Sequence, residues 1–368
     1  MGSLTVEERK HNILVIGSGG VGTMAAYALE KGGKAEVTAV LRSNFEAVEE
    51  SGFDIKSIDH GPEPISGWRP SHIRNTIPDV GNMFSRPFDF IVVTTKNLAD
   101  IPPSVATLIA PAITTGKTVI ALLQNGINIE RPIIKAFPHN PVISGVPYIG
   151  AIENPPGTIT HVNHDRLIIS PFSNENISVK RSTAAAKDFQ EAYASCPNVT
   201  CTYEPRVENA RWKKLLYNAS YNTIAAILQM DTSRMRASEF IIDDLVRPAM
   251  KEIQATARTV SGVDLSDGLI ETIIRADNYT AFFRPSMLQD ITKGRFIELE
   301  NILGEPLREA DNAGVPTPTL KVIYSLLKGL QFKTKESKGL VKVSPSGKGL
   351  KYGKRWEDED GKKNGQIG

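Results

Sequence analysis

Cysteine is close to absent, with Cys196 and Cys201 the only two in 368 residues. Two thiols build no disulfide framework, and their spacing fits no common zinc pattern, so a reducing, cytoplasmic setting is expected. An excess of one charge is missing as well. Lys and Arg number 43 against 41 Asp and Glu, and a net charge of +2 is too small a field to draw nucleic acid or a membrane surface. No apolar run approaches the roughly 18 residues of a membrane span. The opening MGSLTVEERK has no apolar centre for secretion, and Glu7 and Glu8 oppose a mitochondrial address. Val6 stands where a myristoylation motif wants Ser or Thr. His161 and His164 have no carboxylate cluster beside them in the chain, so no metal is expected. Ser18, Ser220 and Ser286 lack the flanks of a nucleophile elbow, which argues against acyl-enzyme chemistry.

What is present is a globular composition, 40% hydrophobic and 23% charged, with length enough for two domains and two cores. Residues 12–16 are a short apolar run stopped by glycine, which reads as a buried parallel strand. Helix formers fill 21–31, and Gly32 with Gly33 closes them. Residues 36–41, 90–94 and 118–123 are further strands, with a helix between the last two. This alternation predicts an α/β protein with an N-terminal Rossmann-type, doubly wound parallel sheet. Residues 142–172 are irregular and strand-like around the turn Pro155-Pro156-Gly157. Helical segments then take over, near 181–194, 207–228, 238–260, 266–282, 286–312 and 319–331. The expected organisation is a polar lead (1–11), a dinucleotide-binding domain (12–205), an all-helical C-terminal domain (206–331) and a tail (332–368). That tail is rich in Lys and Gly and too poor in apolar residues to offset its ordering entropy, so it is expected to be disordered.

Gly17-Ser18-Gly19-Gly20-Val21-Gly22 matches G-x-G-x-x-G, follows a strand directly and opens a helix. In that setting Gly17 permits the tight turn, Gly19 lets a pyrophosphate reach the backbone, and Gly22 lets helix pack on strand. The helix N-terminus then holds the phosphates. An acidic residue usually ends the second strand where NAD binds, but here the chain reads Leu41-Arg42-Ser43-Asn44. Arg42 would attract a 2′-phosphate, so NADP(H) is expected over NAD(H). Lys96 and Asn125-Gly126 follow later strands and should open onto the same crevice. Asn125 could hold a nicotinamide ribose or a substrate oxygen, or simply form a turn.

The second informative stretch runs from Glu208 to Asn222. On one helix Lys214, Asn218 and Asn222 would be spaced i, i+4, i+8 along one face, framing a small polar carbonyl compound. A solvated lysine with asparagines bonded to a neighbouring helix is the competing reading. Taken in order over residues 12 to about 330, a set of motifs resembles the ketopantoate reductase (2-dehydropantoate 2-reductase) family. The set comprises the glycine loop, Lys96, Gln124-Asn125-Gly126, and Trp212-Lys213-Lys214-Leu215 with Asn218 and Asn222. It closes with Pro285-Ser286-Met287-Leu288-Gln289-Asp290 followed by Glu298.

The resemblance implies that Lys214 is the catalytic lysine and that Asn218, Asn222 and Ser286 contact the substrate. It implies that Glu298 binds the substrate hydroxyl and interacts with the lysine, that Asn125 touches cofactor and substrate, and that Lys96 is a cofactor-side lysine. Glu252 matches an acidic residue of the following helix. The implied activity is NADPH-dependent reduction of a 2-oxo acid, 2-dehydropantoate to (R)-pantoate in the first instance, by a monomer or homodimer. Another branched 2-oxo acid or a secondary-metabolite ketone is an alternative substrate, and a non-catalytic NADP-binding sensor is an alternative role. Two departures bear on the substrate. Thr232 stands near a position where the family has an amide, and Ser170 where it usually has glycine.

Overall fold

The computed structural model describes residues 9–81, 86–238 and 240–343. One ten-stranded sheet organises the first half. Its strands are β1 (His11–Ile16), β2 (Ala35–Val40), β3 (Phe53–Ser57), β4 (Ile65–Trp68), β5 (His72–Arg74), β6 (Phe90–Val93), β7 (Val119–Leu122), β8 (Val142–Glu153), β9 (Thr158–Pro171) and β10 (Thr200–Tyr203). The spatial order is β4-β3-β9-β8-β7-β6-β1-β2-β5, with β10 beside β9. From β5 through β2, β1, β6 and β7 to β8 every pairing is parallel. Numbered by appearance, those six strands run 3-2-1-4-5-6, the dinucleotide-binding order. Ile13 to Ile16 and all of β6 are buried, as strands covered on both faces must be.

The sheet is mixed rather than wholly parallel as expected. β8 and β9 form a long antiparallel hairpin, and β3 pairs antiparallel with β4. The far half of that hairpin packs on the helix Gly20–Lys31, where a Cβ on Gly20 would lie 2.2 Å from the Ala151 carbonyl oxygen. Contacts of that kind join residues too distant in sequence to be read from a local pattern.

The second half is helical around a separate core that includes Trp212, Leu216, Ile224, Met250, Ile253, Leu303 and Leu327. Several expected long helices are interrupted. The 207–228 segment is two helices, Val207–Asn218 and Tyr221–Leu228, broken at Ala219 and Ser220. Ser220 Oγ donates to the Leu216 carbonyl, and Thr223 Oγ1 donates to the carbonyls of Ala219 and Ser220, so side-chain hydroxyls compete with the helical ladder there. The 266–282 segment is helical only over Asp267–Ile274. The 286–312 segment breaks after Ser286–Thr292 at Gly294, whose φ is +60°, and resumes through a π-type turn into Glu305–Asn312. A second π-type turn, Ile242–Val246, leads into Arg247–Ser261 in place of one even helix over 238–260.

The last helix, Pro318–Ser337, extends beyond the expected end of structure near Phe332, so the tail begins later than the composition indicates. Residues 344–368 of that tail lie outside the described residues. Among the described residues no helix is long and apolar enough to cross a membrane. Glu252 caps this last helix, accepting from the backbone N–H groups of Thr319 and Leu320 at 2.9 Å each. Glu252→Ala leaves both donors unmet and is expected to cost about 1–2 kcal/mol, read as a lower Tm at unchanged cofactor affinity.

Candidate active site

The glycine loop takes the shape its spacing demands. Gly17 has φ +105°, and a Cβ there would sit 2.6 Å from the Thr95 nitrogen. A Cβ on Gly22 would fall 1.9 Å from the Gly17 carbonyl oxygen, so helix and loop touch directly. Gly19 is exposed with open space around it, and the helix that starts at Gly20 has no side-chain cap. An uncapped helix N-terminus therefore starts beside the open space at Gly19, and the residues present fit a dinucleotide. Ser18 is buried, donating its hydroxyl to the Val40 carbonyl at 3.3 Å, so it shapes the loop from beneath.

Arg42 is exposed just past the end of β2. Next to it Asn44 locks the loop: its Nδ2 donates to the Ser18 carbonyl and to Glu153 Oε1, both at 2.8 Å. Glu153 thus brings to this strand end a carboxylate that the residues around Arg42 lack. Its partner is 109 positions away, which kept it out of any sequence motif.

Lys96, expected on the cofactor side, forms an ion pair with Asp290 of the Ser-Met-Leu-Gln-Asp motif. Burial raises the Asp290 carboxyl, while the Lys96 charge and hydrogen bond oppose it. Glu298 is 8% exposed and accepts from Asn125 Nδ2 at 3.0 Å and from the Asn97 backbone N–H at 3.1 Å. Burial raises its pKa, opposed by those hydrogen bonds and by Lys96. Asn125 is therefore more than a turn, since it ties the sheet to the helical half.

Lys214 and Asn218 share one helical face and line a small cavity with Asn125, Gly126, Val146 and Leu215. Lys214 is half-buried, donates Nζ to the Pro147 carbonyl and lies over the Tyr148 ring at 5.4 Å. Burial first, and the Arg211 cation second, lower its pKa to about 7, while Glu298 pulls the other way. No direct ion pair joins Lys214 to Glu298; they interact across space. Asn218 is 7% exposed and lines the same cavity as the amine. A cation that readily releases its proton, in a cavity lined by amide side chains, can polarise and protonate a carbonyl oxygen.

Asn222 stands on the second of the two helices, off the expected common face. Its Oδ1 accepts from the Met287 N–H at 2.8 Å, and its Nδ2 donates to Ser286 Oγ at 3.1 Å. It thereby caps the Ser286–Thr292 helix and orients Ser286.

Two profiles of ketopantoate reductase PanE/ApbA match the chain, the first over residues 13–174 and the C-terminal one over 206–331. An uncharacterized protein of Saccharomyces cerevisiae is 37% identical over 90% of this chain and 96% of its own. The chain belongs to the ketopantoate reductase family. The 2-dehydropantoate 2-reductase of a Nostoc species is 27% identical over 88% of this chain and 96% of its own. The crystal structure of 2-dehydropantoate 2-reductase from Methylococcus capsulatus superposes with a TM-score of 0.70 at 29% identity, covering 88% of this chain and 97% of that one.

Within this ketopantoate reductase family member, other expectations change. Asp59 pairs with both His161, at 3.6 Å, and His164, and His161 also bonds Ser57 Oγ at 2.8 Å and the Asn163 carbonyl at 2.6 Å. The carboxylate that meets both imidazoles therefore comes from just beyond β3, 105 positions before His164. Among the described residues no group of three His, Cys, Asp or Glu is arranged to hold a metal. Arg211, Tyr148 and Glu153 carried no role in the sequence reading, and Asp290 only a place in its motif, because each matters through a partner far along the chain.

Proposed function

We propose that the chain is an NADPH-dependent reductase of a 2-oxo acid, with 2-dehydropantoate the first substrate to try and (R)-pantoate the product. The observation that carries the reading is the Lys214 amine. It is half-buried, with its pKa lowered to about 7, in a cavity shared with Asn125 and Asn218. The glycine loop would hold a dinucleotide by its pyrophosphate, and the reduced nicotinamide would supply hydride for the carbonyl carbon. Lys214 as ammonium stabilises the charge that grows on the oxygen and gives it a proton, ending as a neutral amine. Asn218 and Ser286 orient the acid, and Glu298 accepts its hydroxyl. NADPH oxidation with 2-dehydropantoate, set against a panel of other 2-oxo acids, tests this; no turnover on any of them sinks it.

Arg42 supports NADPH over NADH, because an exposed guanidinium at this strand end suits a 2′-phosphate. Arg42→Ala is expected to lower the NADPH-to-NADH ratio of kcat/KM about tenfold, mostly through KM. Equal use of both nucleotides by the unaltered protein would count against Arg42. Thr232 favours a second reading, the same chemistry on another branched 2-oxo acid. Its hydroxyl is buried without a hydrogen-bond partner where the resemblance led us to expect an amide.

A further inference from the structure

Arg211 lies one turn before Lys214 on the same helix and is 5% exposed. Its Nη2 pairs with Glu130 Oε1 at 3.0 Å, and its Nε donates to Ser144 Oγ at 2.8 Å. Its Nη1 donates to the carbonyl oxygens of Gln124, at 3.0 Å, and Gly126, at 2.8 Å. Asn125 sits between those two carbonyls, so one guanidinium grips the residue's backbone from both sides. Few side chains could do this. A planar fork of donors reaches two carbonyls and a carboxylate at once, where an ammonium cannot.

The arrangement is poorly explained as packing. Taking both charges out of water costs several kcal/mol, and apolar residues of like volume would fill the space as stably. Glu130 is fully buried, and its second oxygen has no hydrogen-bond partner. What the pair provides is a fixed geometry between the sheet and the helix. Gly126, at φ +93°, is pressed on its other side by Asn301, whose carbonyl oxygen would lie 2.4 Å from an added Cβ. The turn is held from two directions.

We propose that Arg211 is a positioning residue for the reduction: clamped by Glu130, it binds the 124–126 turn to the Lys214 helix and so sets Asn125 against the amine across the cavity. The inference rests on the reductase reading above. A second consequence is electrostatic. Lys214 is faced by Arg211 on its own helix, by Tyr148 of β8 with Arg166 of β9 beyond that ring, and by Glu298 from the helical half. Removing the guanidinium takes away the like charge that lowers the Lys214 pKa and lets the amine hold its proton more tightly.

Two variants separate these effects. Arg211→Lys keeps the charge and loses the fork, so KM for the 2-oxo acid should rise about tenfold at nearly constant kcat and NADPH affinity. Arg211→Met combined with Glu130→Gln removes both charges and leaves no unpaired ion in the core. It should move the basic limb of kcat/KM upward by about one pH unit. The pH at which the Lys214 amine becomes half-reactive toward acetic anhydride, read by mass spectrometry of its peptide, should shift by the same amount without any substrate present. Wild-type KM in Arg211→Lys, together with an unmoved amine in a folded double variant, would overturn the proposal and leave Arg211 a structural residue. Absence of turnover by the unaltered chain would instead remove the reductase reading. The anhydride titration would still be decisive for Arg211, since an unshifted amine overturns its coupling to Lys214.

Discussion

Lys214→Ala is expected to lower kcat for 2-oxo acid reduction by at least ~10²-fold, or roughly 2.7 kcal/mol of barrier, while NADPH binding stays within about threefold. The cofactor loop and the amine lie on different halves of the molecule, so the two readouts separate. A loss under about tenfold would show that the proton comes from elsewhere. The pH profile gives an independent check. With the amine pKa near 7, the acid form dominates below that value. Accordingly kcat/KM should be level below about pH 7 and fall about tenfold per unit above it. Stability should run the opposite way. Because burial lowers the folded-state pKa from 10.5 to about 7, the unfolded chain holds the proton more readily between those values, and stability rises with pH across that window. Lys214→Met removes that dependence, so its Tm should exceed that of the unaltered chain at pH 7 while turnover disappears.

The glycine loop yields the second large effect through a contrast. Gly22→Ala drives a Cβ to 1.9 Å from the Gly17 carbonyl oxygen and 2.5 Å from Thr94 Oγ1. The first of these is backbone and cannot step aside, so a cost of about 1–3 kcal/mol is expected, seen as a lower Tm without any ligand. Gly19→Ala meets no heavy atom within 4 Å, and its φ of −80° suits any residue. It should fold with unchanged Tm and still weaken NADPH binding at least ~10-fold, because the added methyl fills the space a pyrophosphate needs. Equal nucleotide affinity in Gly19→Ala would mean that the phosphates lie elsewhere.

The sequence was most legible where function is local. The glycine loop lies within six consecutive residues, and its strand and helix flank it directly, so both its shape and its open N–H groups could be anticipated. Lys214 and Asn218 stand four apart inside one helix and do share the cavity. Asn222 does not follow them, because the hydroxyls of Ser220 and Thr223 interrupt the helix, and apolar periodicity carries no trace of that competition. Glu298 meets Asn125 across 173 positions, and Arg211 meets the 124–126 turn across more than eighty. Contacts of that range depend on how two halves dock, which no single-chain spacing encodes. The mixed character of the sheet was hidden for the same reason, since β3 pairs with β9 across roughly a hundred positions of chain.

The helix Pro318–Ser337 makes shortening the chain hazardous. Gln331 Nε2 lies 3.3 Å from both oxygens of Asp100, and Lys335 pairs with the same carboxylate at 2.8 Å. Gln331 also accepts from the N–H of Ile297, the residue before Glu298. Likeness to the family's C-terminal half stops at 331, an inviting place to cut for expression. A truncation there would remove the Lys335–Asp100 ion pair and leave Gln331, with its bonds to Asp100 and Ile297, on a fraying helix end, slackening the segment that delivers the Glu298 carboxylate. The clipped protein could still bind its nucleotide while losing its grip on the acid.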